Sequence, residues 1–69
     1  MKGVLKKKSL EQALSSALLA SQEHRDVTYY VLDKPGRRAV CHASELRVWN
    51  RISEGYSVAY KVRNGLLIK

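Results

Sequence analysis

The sequence predicts an α+β fold in which one N-terminal amphipathic helix packs on a small antiparallel sheet, in the order α-β-β-short helix-β-β. Three observations carry that prediction. Apolar residues recur at helical spacing between Leu10 and Ser21, and the segments 27–32 and 56–62 are rich in β-branched and aromatic residues. Turn chemistry stands at Pro35-Gly36 and Asn64-Gly65, where it separates short strands by hairpins.

The helix reads from about Leu10 to Glu23. Leu10, Ala13, Leu14, Ala17, Leu18 and Ser21 share one face, with Glu11, Gln12, Ser15, Ser16, Gln22 and Glu23 around the rest. Ser9 and Gln12 fit a capping box, in which the hydroxyl accepts an N3 amide and the Gln side chain reaches back. Residues 1–8 precede it as a basic leader, a terminus that frays or pairs Val4 and Leu5 as a short edge strand. Leu19 lies opposite the stripe, as an exposed apolar residue or as a contact with a second copy.

Residues 27–32 and 38–43 read as a hairpin around Pro35-Gly36. Pro35 presets φ for the second position of a type II turn, and Gly36 takes the positive φ of the third. A two-residue loop sets Tyr30 opposite Cys41 and Asp33 opposite Arg38; a longer loop is the alternative, since type II turns suit tight hairpins poorly. Residues 44–54 read as a short helix, with Ser44 as cap, Glu45 in the first turn, Leu46, Trp49 and Ile52 as its apolar stripe and Gly55 as its stop. In a strand reading, Arg47, Trp49 and Arg51 share a face instead. Residues 56–62 alternate, with Tyr56, Val58, Tyr60 and Val62 on one side. Asn64-Gly65 then signals a type I′ turn into a closing strand at 66–69.

Composition narrows the function classes. A chain of 69 residues is one domain, and it buries only about 60% of its unfolded surface on folding. Little room remains for an enclosed active site. Leu, Ile and Val make up about a quarter of the chain, which argues against disorder. The single cysteine, Cys41, permits no internal disulfide and fits a cytoplasmic setting. No apolar run is long enough to span a membrane, and polar residues interrupt the Ala/Leu stretch after the lysines, a poor signal peptide.

Catalytic signals are thin. Cys41 and His42 are adjacent, but neighbouring strand residues point to opposite faces, and no third orienting group is evident. No metal-ligand spacing and no glycine-rich phosphate loop is present. The expectation is a protein that is not an enzyme and uses neither metal nor cofactor.

Charge is the informative feature. The net charge of +7 is uneven: +4 over residues 1–8, −2 over 9–35 and +5 over 36–69. Clustered arginine with interleaved aromatics suits phosphate contacts and stacking on unpaired bases. The leading expectation is therefore a nucleic-acid-binding module using Lys6, Lys7, Lys8, Arg37, Arg38, Arg47, Trp49, Arg51, Lys61 and Arg63. The alternative is a protein-interaction or regulatory module, either a homodimer with Leu19 at its seam or a small inhibitor or adaptor that docks on an acidic protein partner.

Overall fold

In the computed structural model the backbone of residues 2–68 and the side chains of residues 9–68 are described. The elements run α1 (Lys2–Glu23), β1 (Tyr29–Asp33), β2 (Val40–His42), α2 (Glu45–Ser53), β3 (Ser57–Arg63) and β4 (Leu66–Ile68). The strands form one antiparallel sheet in the order β2-β1-β3-β4. This is the α+β fold expected, with an N-terminal helix on a four-stranded sheet and a short helix inserted between β2 and β3.

α1 begins at Lys2 and passes through Ser9. Ser9 is therefore no cap, and Val4 and Leu5 lie in the helix rather than in an edge strand. Lysine and leucine are good helix formers, and residues 4–8 hold no breaker. The predicted stripe is the packed face. Ala17 and Ser21 are fully buried, and Leu10, Ala13, Leu14 and Leu18 pack against the core that Ala17 forms with Val31 and Val62.

The β1–β2 loop is the longer alternative. Arg37 N–H donates to the Lys34 carbonyl at 3.0 Å with Gly36 at φ 77°, as a type II turn over Pro35-Gly36 requires. The strands then meet as Leu32↔Val40, Val31↔Cys41 and Tyr30↔His42. This is one residue away from the tight-loop register: Tyr30 faces His42 and not Cys41, and Asp33 pairs with Ser57 of β3 and not with Arg38. The extra loop residues relieve the mismatch between a type II turn and strand twist.

β3 departs from simple alternation. Val31 pairs with Tyr60 but Leu32 with Val58, so Ala59 is an extra residue in a β-bulge. Tyr60 and Val62 face α1, whereas Val58 turns to the other side with Leu32. Tyr56 precedes the strand and sits under two cations, Lys34 Nζ at 5.6 Å and Arg51 Cζ at 5.7 Å from the ring centroid.

Directly opposed residues of an antiparallel pair share a face. Tyr29, Val31, Cys41, Tyr60 and Val62 thus point to α1. Tyr30, Leu32, Val40, His42, Val58, Lys61, Arg63, Leu66 and Ile68 point to the α2 side.

The β3–β4 turn is locked to α1. Asn64 and Gly65 have φ 53° and 75°, the paired positive values of a type I′ turn. The buried Ser21 hydroxyl accepts Gly65 N–H at 2.9 Å and donates to the Leu18 carbonyl at 2.9 Å. A Cβ on residue 65 would lie 2.6 Å from Gln22 Cγ, so this close approach requires glycine. Ser21→Ala strands that amide beneath the helix and is expected to cost about 1–3 kcal/mol. Urea unfolding checks this: the midpoint should fall while the slope stays constant.

Candidate functional site

α2 spans the nine residues Glu45–Ser53, with Ser44 at its cap position although its hydroxyl makes no capping hydrogen bond. Its C-terminus is a Schellman motif: Gly55 N–H donates to Ile52 C=O and Tyr56 N–H to Arg51 C=O, each at 3.0 Å. Lys34 Nζ donates to the Glu54 carbonyl beyond it. Gly55 is thus the stop that the sequence indicates.

The predicted stripe of α2 does not face the sheet. Val48 is its buried residue, while Leu46 and Trp49 stand 70% and 65% exposed and Ile52 39%. Arg51, one turn from Val48, takes the inward place that the stripe reading gave to Trp49. Its Nε donates to His42 Nε2 at 3.2 Å, its Nη1 pairs with Glu54 at 3.1 Å, and its guanidinium covers Tyr56. Three partners hold this guanidinium, which ties α2 to β2 and to the start of β3.

His42 is depressed below the ordinary histidine range, first by burial and then by the Arg51 and Arg47 charges. Neutral imidazole is what allows Nε2 to accept from Arg51. Above the unfolded value near 6.5 both states are neutral there. As pH falls through that value the unfolded chain takes the proton first, so stability declines until the lower folded value is reached. Unfolding midpoints between pH 7.5 and 5 should show this decline, and His42→Asn should flatten it. Cys41 lies on the opposite face, half-buried, its thiol raised by burial. The two residues do not meet.

The basic residues separate into groups. Arg37 and Arg38 are exposed in the loop beyond the Asp33 end of β1, and Lys61 and Arg63 are exposed toward the opposite end of the sheet. Arg47 is exposed on α2 on the flank toward β2, from which its charge reaches His42. Lys6, Lys7 and Lys8 lie in α1, with side chains outside the described residues. Leu19 is exposed on the outer face of α1, away from the sheet.

An apolar surface gathers elsewhere. At helical spacing Trp49 and Ile52 project from the flank of α2 opposite Arg47, and hence away from β2. That flank overlooks β3 and β4. The floor beside it carries Val58 (40% exposed), Leu66 (67%) and Ile68 (41%), with Lys61 and Arg63 between them. α2 approaches β1, β2 and β3 but not β4, so the β4 side of this face is open. From sequence, Ile52 and Val58 read as core-facing positions and Leu66 and Ile68 only as part of a closing strand, so none of the four was a candidate for function. The run Leu66-Leu67-Ile68, three apolar residues in a row at an edge, is the signal that points to them.

Among the described residues no group of three metal-ligating side chains converges, and no helix is long and apolar enough to cross a membrane. No family model, curated protein or solved structure matches the chain.

Proposed function

We propose that the chain is a protein-interaction module that docks a partner on the open face bounded by α2, β3 and β4. One observation carries the reading: in a chain with so few buried hydrophobics, Trp49, Ile52, Val58, Leu66 and Ile68 are left exposed on one side, with Lys61 and Arg63 among them. Large apolar side chains left exposed on one side of a small protein mark interaction sites. Aromatic residues and arginine are the side chains that dominate interface energetics.

Nucleic-acid binding is the second reading. It is favoured by Lys61 and Arg63, two residues apart on the sheet face overlooked by Trp49, an arrangement that suits phosphate contact with base stacking. The separation of Arg37 and Arg38 from Arg63, and the engagement of Arg51, weigh against a continuous phosphate track.

A photoreactive phenylalanine analogue at position 66, with the same group at position 19 as control, distinguishes the readings in the native host. Discrete protein adducts that form only from position 66 and survive nuclease support protein docking. Adducts lost on nuclease treatment transfer the surface to nucleic acid. Equal yields from both positions, or none, overturn the proposal.

A further inference from the structure

We infer, resting on the protein-docking reading, that the partner segment is an acidic amphipathic helix lying beside α2 over β3 and β4. Geometry supplies the shape. α2 approaches β2, β1 and β3 and so is centred on β1; at about 4.8 Å per strand, β4 lies about 10 Å to one side, the spacing at which a second helix packs. On the far face α1 reaches all four strands; on the near face α2 leaves β4 uncovered. The vacancy is one helix wide, with Trp49 and Ile52 as its wall and Val58, Leu66 and Ile68 as its floor.

Charge supplies the chemistry. Lys61 and Arg63 rise from that floor with no carboxylate in salt-bridge contact among the described residues. Acidic residues flanking an apolar stripe complement them. A second copy of this chain does not: α1 begins with a lysine cluster, and α2 carries Arg47 and Arg51.

Addition of a strand to β4 is the poorer fit. Arg63↔Leu66 and Lys61↔Ile68 are the hydrogen-bonded pairs that follow a two-residue turn, so only Leu67 turns its N–H and C=O outward. Gly65 N–H is already taken by Ser21. A three-residue edge offers an added strand too little.

Trp49 is the only tryptophan, so its emission reports on the site directly. Two synthetic helical peptides serve as probes, each with leucines at i, i+3, i+4 and i+7, one flanked by glutamates and one by lysines. The glutamate peptide should shift Trp49 emission to the blue and bind at least about tenfold tighter than the lysine peptide. The double variant Lys61→Glu, Arg63→Glu should reverse that order. Binding that ignores peptide charge, or no binding by either peptide, overturns the inference. So do amide shifts centred on Leu67, concentration-dependent dimers without peptide, or tighter binding of a single-stranded oligonucleotide. If position 66 still gives nuclease-resistant protein adducts while neither peptide binds, the helix assignment falls and the docking reading stands. If those adducts are absent, both fall.

Discussion

Leu32→Ala is expected to lower the free energy of unfolding by about 2–5 kcal/mol, the largest effect among truncations of the fully buried, described side chains. Leu32 is the largest fully buried side chain among the described residues. It lies on the sheet face beneath α2, between Val40 of β2 and Val58 of β3. The helix on that face is only nine residues long and Val48 is its one buried residue, so little can collapse into the space left by the missing methyl groups. Domains of this size have about 3–10 kcal/mol in total, and the loss should lower the melting temperature by more than about 10 °C. Thermal unfolding followed by far-UV circular dichroism measures it. A cost under about 1 kcal/mol would mean that α2 is not seated on Leu32.

Local chemistry was legible wherever one residue type answers one backbone need. The type II turn at Pro35-Gly36, the type I′ turn at Asn64-Gly65 and the Gly55 stop all follow from restrictions on φ, and α1 shows the stripe from Leu10 to Ser21. Features that depend on a partner elsewhere in the chain were not legible. The bulge at Ala59 exists to match β3 to β1, and the alternation from Tyr56 to Val62 conceals it. The one-residue change in the β1–β2 register is likewise set by cross-strand pairing and not by the turn residues. In α2 the pattern Leu46-Trp49-Ile52 is helical, but periodicity does not say which side meets the sheet. The contacts of Arg51 with His42, Glu54 and Tyr56 decide that, and they turn Trp49 outward. The placement of the arginines likewise depends on the fold and not on their order in the chain. Sequence distance from Arg37 to Arg63 becomes separation at opposite ends of the sheet.

The exposed apolar face is the centre of the functional account. If Trp49 and Leu66 are kept for a partner, they contribute little to the isolated fold and much to binding. The double variant Trp49→Ser, Leu66→Ser is expected to leave unfolding free energy within about 0.5 kcal/mol per site, as for other surface positions. The same variant should reduce partner binding at least about tenfold, because it removes the two most exposed large apolar side chains of the proposed interface. Stability and binding should be measured on one preparation, the first by urea unfolding and the second by yield of nuclease-resistant adducts from a photoreactive group at Ile68. Unchanged stability with lost adducts is the predicted result. A large loss of stability, or full adduct yield from a stably folded variant, would contradict the assignment of this face to a partner.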